Sequence, residues 1–219
     1  MSLKHAGLKT RHRKERSGYP KSLSMRVHRA LSWLEKSELC EDLDSQYIFL
    51  WIAFNAAYAN DLDLVNRPSE RELFRHFLAR LEKIDTKSRL YNLVWQSYSN
   101  TIRVLLDNPY IFEPFWDYQR GNITKRAWQE KQNKVSDKAN RALANKDTVS
   151  LLSIILCRCY TLRNQLVHGG ATWQSDINRE QVRDCTRMLA DLVPLIIDLM
   201  MDGKDLGWGD SVYPNLKAS

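Results

Sequence analysis

The stretch Tyr47-Ile48-Phe49-Leu50-Trp51-Ile52-Ala53-Phe54 is the longest apolar run in the chain, and Asn55 ends it. Crossing a bilayer takes about 20 apolar residues, so this run is too short for a membrane span. Asp42, Asp44 and Ser45 precede it with N-cap chemistry, which predicts a helix reaching about Tyr58. A helix that is apolar nearly all round needs cover on every side. That requirement places it at the centre of a helical bundle.

The rest of the chain follows the same logic. Apolar residues recur with a helical period, and no segment alternates strictly enough for a strand. A helix over about 22–39 turns Leu23, Val27, Ala30, Leu31 and Leu34 inward. Ser69-Glu70-Arg71-Glu72, after Pro68, reads as a capping box for a helix to about Ile84, with Leu73, Phe77 and Leu81 inward. Further helices are expected over about 86–106, 125–144, 148–168 and 178–201. Asn108-Pro109 breaks the first of these, Thr148 caps the third, Gly169-Gly170 ends it, and Pro194 kinks the last. The aromatic stretch 114–121 forms one short helix at most. The expected fold class is all-α, a helical bundle with a longer helical insertion over 109–146. The expected organisation is a flexible basic arm over 1–21, a helical domain over 22–203 and a short tail over 204–219.

Composition narrows the function classes. With 43% hydrophobic residues and only 8 Gly and 6 Pro, the chain can bury a core and is not a linker. Cys40, Cys157, Cys159 and Cys185 form no CxxC pair and no zinc spacing, so reduced thiols and no metal site are expected. The basic, polar N-terminus has no apolar signal region, and the expected location is cytoplasmic. Net charge is +7, and nearly all of it lies in the arm, where Lys4, Lys9, Arg11, Arg13, Lys14, Arg16 and Lys21 face only Glu15. Such an arm can hold RNA phosphates by counterion release, with Arg11, Arg13, Lys14 and Arg16 as the candidate contacts. A solvated, disordered tail is the plainer alternative.

The chemistry gathers at the end of the 148–168 helix. At about 100° per residue, Leu151, Ile155, Leu162 and Leu166 form one core stripe. Asn164 and His168, four apart, share the opposite face. Leu156, Tyr160 and Val167 also lie off the core stripe and call for a second surface to cover them. His168 before Gly-Gly can serve simply as a helix cap, and Arg163 as a structural cation. Among other polar residues, Asn55 reads as a satisfied core amide, Asp42 and Asp44 as caps, and Glu72 with His76 as a surface pair.

Arg163-Asn164-Gln165-Leu166-Val167-His168 matches the Arg-polar-x(3)-His signature of HEPN domains, and the flanks extend the match. Residues 163–173 (Arg-Asn-Gln-Leu-Val-His-Gly-Gly-Ala-Thr-Trp) and 41–55 resemble the Apea-like branch of that superfamily. The resemblance covers roughly residues 22–202. It implies a helical bundle that dimerises and, in many members, a composite ribonuclease site needing no metal or cofactor. Arg163, Asn164 and His168 would be the catalytic residues, RNA the substrate, and a homodimer the working unit. A defence or toxin–antitoxin setting would follow, with an antitoxin or nucleotidyltransferase as partner. The alternative is a non-catalytic dimer that holds RNA, a nucleotide or a partner protein. In the catalytic reading, the RNA 2′-hydroxyl attacks the adjacent phosphate, His168 moves protons, Arg163 holds the phosphate bidentately and Asn164 orients either one.

Overall fold

The computed structural model describes residues 3–59, 68–176 and 178–209. Among the described residues the regular elements are all helical: α1 His5–Glu15, α2 Lys21–Glu38, α3 Leu43–Tyr58, α4 Glu70–Ile84, α5 Arg89–Asn92, α6 Ser99–Asp107, α7 Glu113–Gln119, α8 Lys125–Ala144, α9 Thr148–Val167 and α10 Arg179–Asp202. No helix among them is long and apolar enough to cross a membrane. Of the expected C-terminal tail, residues 210–219 lie outside the described residues, as do residues 1 and 2 of the expected arm.

The apolar run is the central helix. α3 packs against α2, α9 and α10, and Tyr47, Leu50, Trp51, Ala53, Phe54 and Ala57 are buried. The Phe54 ring stacks on Tyr58 at 4.7 Å and meets Phe74 of α4 at 5.6 Å, while Trp51 meets Tyr160 of α9 at 5.9 Å. The Tyr47 hydroxyl donates to the Cys159 carbonyl at 2.6 Å, so the one polar group it brings into the core is satisfied. The neighbours do not close the whole circumference, however. Ile48 and Ile52 are half-buried and Asn55 is exposed. Asn55 is therefore a surface amide, not the core amide its apolar neighbours suggested.

Side-chain caps begin four of these helices, α3, α4, α8 and α9. Asp42 accepts the Ser45 N–H at 2.9 Å, and Ser69 with Glu72 forms a complete capping box. At α9 the cap is Asp147, which accepts the Ser150 N–H at 2.9 Å. Thr148 is not the cap; it is buried, and its hydroxyl accepts the Trp95 indole N–H at 3.0 Å. A carboxylate wins the cap because it answers the helix dipole as well as an N–H.

The single helix expected over 86–106 is broken into three pieces. Ser88 takes a left-handed conformation (φ 52°), and the Asp85 carboxylate accepts the Leu90 N–H at 2.7 Å to start α5. A π-helical turn over Leu93–Ser97 then separates α5 from α6. A π turn carries an extra residue and so shifts the helical register. Beside it, Trp95 reaches Thr148 of α9, and Tyr98 donates to Asp191 of α10 at 2.6 Å. Pro194 lies within α10 without ending it.

The N-terminal segment departs most from expectation. It is not a flexible arm from His5 onward; α1 packs on α2 and α10, with Leu8 and His12 buried. Arg11 explains the docking. Its guanidinium lies 2.6 Å from Asp198 and 2.8 Å from Asp202, one turn apart on α10, and Arg89 of α5 meets the same two carboxylates at 2.6 Å each. Two forked cations thus bridge two carboxylates, an arrangement that spreads the cost of ordering each side chain over several bonds.

The insertion is fastened by a buried cation. α7 and α8 pair through Trp128, which stacks on Tyr118 at 5.6 Å and meets Phe115 edge-on at 5.5 Å. Arg158 of α9 donates to the Leu106 carbonyl at 3.0 Å and the Asn108 carbonyl at 3.4 Å, with its guanidinium 4.2 Å from the Phe112 ring. These are the carbonyls that the Asn108-Pro109 break leaves open. Burial pushes the Arg158 pKa down to about 10.

Candidate functional site

Arg163, Asn164 and His168 occupy the last turn of α9. Arg163 Nη1 donates to Asn164 Oδ1 at 3.0 Å, so adjacent residues are bridged across the helix surface. Both are half-buried, while His168 and Val167 are exposed. The His168 backbone N–H closes the helix on the Asn164 carbonyl at 3.0 Å. Among the described residues the His168 imidazole makes no hydrogen bond or ion pair, and Arg163 does not meet it within the chain. Five residues of helix separate the two, a turn of about 140°.

The turn itself is held from three sides. Gln165 donates to the Tyr110 carbonyl of the insertion at 2.5 Å and accepts from the Asn178 amide at 3.2 Å. Its backbone carbonyl accepts the Gly170 N–H at 2.7 Å. Gly169 is left-handed (φ 71°), as a helix-terminating residue must often be, and a Cβ on Gly170 would meet the Gln165 carbonyl oxygen at 3.1 Å. The Gly-Gly pair therefore satisfies two separate constraints.

The loop that follows is clamped to the start of α3. The Trp173 indole donates to Asp42 at 3.3 Å, and the Asp44 carboxylate accepts the Gln174 N–H at 3.0 Å. Arg179, which opens α10, adds an ion pair to Asp44 at 2.9 Å. Asp44 is buried and is not a cap; Asp42 performs that role alone. The two stretches that carry the HEPN resemblance, 41–55 and 163–173, are thus joined in space.

Other candidates fall out differently. Leu156 is fully buried and Tyr160 packs on Trp51, so the chain's own core covers both. Of the apolar residues expected to need a second copy, only Val167 remains open, at 49% exposure. Arg11 is spent on Asp198 and Asp202, whereas Arg13, Lys14 and Arg16 are exposed on and just after α1. All four cysteines are free, and burial pushes the Cys157 thiol up to about 12, so it has no nucleophilic character near neutrality. Glu72 is consumed by its capping box, and His76 is an exposed neighbour. Among the described residues no group of three or more His, Cys, Asp or Glu could hold a metal ion.

The chain matches no family model, no curated protein and no solved structure. What can be read at this site comes from its own residues. Sequence reasoning found the motif but missed Gln165, Asp44 and Arg179, which hold it. Each of these makes its bonds to residues far away in the chain, and no local pattern marks such pairs.

Proposed function

We propose that the chain is a HEPN-type, metal-independent endoribonuclease. The observation that carries it is the end of α9, where Arg163 and Asn164 are bonded to each other and His168 is exposed and unpaired among the described residues. An exposed imidazole at the end of a helix is open to a bound substrate and can exchange protons with it. In the reaction, the 2′-hydroxyl gives up its proton and its oxygen bonds to phosphorus. The 5′-oxygen leaves and takes a proton, leaving a 2′,3′-cyclic phosphate. Arg163 meets the charge that builds on the phosphoryl oxygens.

One chain points Arg163 and His168 in different directions, so the working site is composite. A two-fold axis beside α9 brings His168 of one copy to Arg163 of the other, and the exposed Val167 lies where such an interface would run. Two histidines then serve as base and acid. RNA and a second copy are the partners, and a cytoplasmic setting with an antitoxin or nucleotidyltransferase fits a nuclease that must be restrained.

The test is incubation of RNA with the protein in the presence of a chelator, alongside His168→Ala and Arg163→Ala. Cleavage should resist the chelator and fall by a factor of about 10² or more in each variant. Cleavage that survives both substitutions, or that depends strictly on magnesium, overturns the proposal. RNA binding without cleavage would favour the non-catalytic alternative.

A further inference from the structure

A second basic feature lies well away from the motif. Between α4 and α8, at the N-terminal end of α9, is an open cavity of about 510 Å³. Arg71 and Arg75 enter it from successive turns of α4, and Lys138 and Arg141 from successive turns of α8. Charged residues on a helical surface are usually just solvated, as Arg13, Arg16 and Arg103 are here, but some arginines of this molecule take carboxylate partners. Arg120 pairs with Glu113 and Asp117, Arg126 with Glu130, and Arg183 with Asp184. None of the four cations in the cavity forms an ion pair or hydrogen bond among the described residues.

Two carboxylates do line the cavity, yet both are committed elsewhere. Glu72 accepts the backbone N–H and the hydroxyl of Ser69 at 2.9 and 2.7 Å, and Asp147 accepts the Ser150 N–H at 2.9 Å. The acids cap helices and leave the cations facing open space. The capped ends belong to α4 and α9, so the positive ends of two helix dipoles point to the same region. Four cations face two carboxylates in the lining, so the balance of charge favours a bound anion.

The cavity also has a fixed relation to the motif. On α9, Ser150 of the cavity wall, Cys157, Asn164 and His168 fall within about 40° on the helical wheel. Ser150 and His168 are about 27 Å apart along that strip, at about 1.5 Å per residue. Between them Ile154 and Thr161 are buried, so a polyanion reaching from the cations to His168 would run over the surface beside α9.

We propose that this cleft is a sequence-independent binding site for the phosphodiester backbone of the RNA chain whose cleavage the α9 motif carries out. It rests on the ribonuclease reading for the identity of the polyanion. Arginine forks hold phosphate oxygens bidentately, and each cation that neutralises a phosphate adds to the salt dependence of binding.

The experiment uses the full chain in a His168→Ala background, so that RNA stays intact, and measures affinity for labelled single-stranded RNA between 50 and 200 mM salt. Arg75→Gln with Arg141→Gln removes two charges; Arg75→Lys with Arg141→Lys keeps them. All these side chains are exposed, and thermal melting checks that each variant folds. The Gln pair should flatten the salt slope by about 1.4, so that its affinity falls about sevenfold less than the parent's across that range. The Lys pair should keep the parent's slope. An unchanged affinity and slope in the Gln pair, while the parent binds, overturns the cleft and leaves the nuclease reading standing. A parent that binds no RNA at 50 mM salt overturns both. Displacement of RNA by polyglutamate at equal charge concentration would show a cleft for acidic protein and overturn the RNA assignment.

Discussion

Arg179 Nη2 lies 2.9 Å from both carboxylate oxygens of Asp44, tying the first turn of α10 to the first turn of α3. The loop carrying Trp173 closes over this pair, immediately after His168. Asp44→Ala leaves the Arg179 guanidinium and the Gln174 N–H without their acceptor. It should lower stability by about 1.5–3 kcal/mol, the range for hydrogen bonds to a charged group. Proteolysis within 169–178 should become faster than elsewhere in the chain. If Arg179→Lys keeps the loop as protected as the parent, the forked geometry is not what holds it.

Gly169 should resist substitution for a reason different from that of its neighbour. Its left-handed backbone (φ 71°) makes Gly169→Ala cost about 1–2 kcal/mol. At Gly170 a Cβ meets the Gln165 carbonyl oxygen at 3.1 Å, so the Gly170→Ala cost comes from contact with the motif turn. Melting curves read the first effect. The second should also lower the rate of the proposed RNA cleavage, because the displaced atom belongs to the turn that carries His168.

His12 gives the fold a pH dependence. Burial holds its pKa below the usual histidine value, and Lys9, His28 and Arg16 add repulsion. The neutral form is therefore favoured in the folded state, and Ser24 Oγ lies 3.3 Å from His12 Nε2. The unfolded chain takes up a proton before the folded one does. This contribution is fully present above about pH 6.5 and is lost as pH falls below it. Melting temperature should drop between pH 7 and pH 5, and the drop should be smaller in His12→Asn. Equal slopes for the two proteins would remove His12 as the cause.

Removing Arg11 tests whether α1 is part of the fold. Arg11→Ala leaves Asp198 and Asp202 with Arg89 alone. A loss of about 1–2 kcal/mol is expected, reduced from a fully buried pair because the site is partly open. Amide exchange over residues 5–15 should accelerate first. Unchanged protection there would mean that Leu8 and the rest of the α1 contact hold the helix without the ion pairs.

Val167→Glu separates assembly from stability. The side chain is 49% exposed, so a monomer should tolerate the change within about 0.5 kcal/mol. A dimer built on this end of α9 should dissociate in sedimentation, and RNA cleavage should go with it. A monomer that still cleaves RNA would end the composite-site proposal.

Much of the secondary structure was legible without coordinates. The apolar run around Trp51, the capping box at Ser69 and the bounds of α8 all follow from interactions within a few residues, which a sequence displays directly. The position of Arg163, Asn164 and His168 at the end of a helix was equally plain, since periodicity and the Gly-Gly stop are local signals. The tertiary structure alone decided the partners of the charges that pair across the fold. It set Arg11 against Asp198 far along the chain, Asp44 against Arg179, and Arg71 and Arg75 across a cleft from Lys138 and Arg141. It also decided that Leu156 and Tyr160 face the chain's own core and that Asn55 faces solvent. The reason is physical: helix periodicity and capping act over one or two turns. Ion pairing and burial depend on which surfaces the folded chain brings together, and spacing along the sequence carries no record of that.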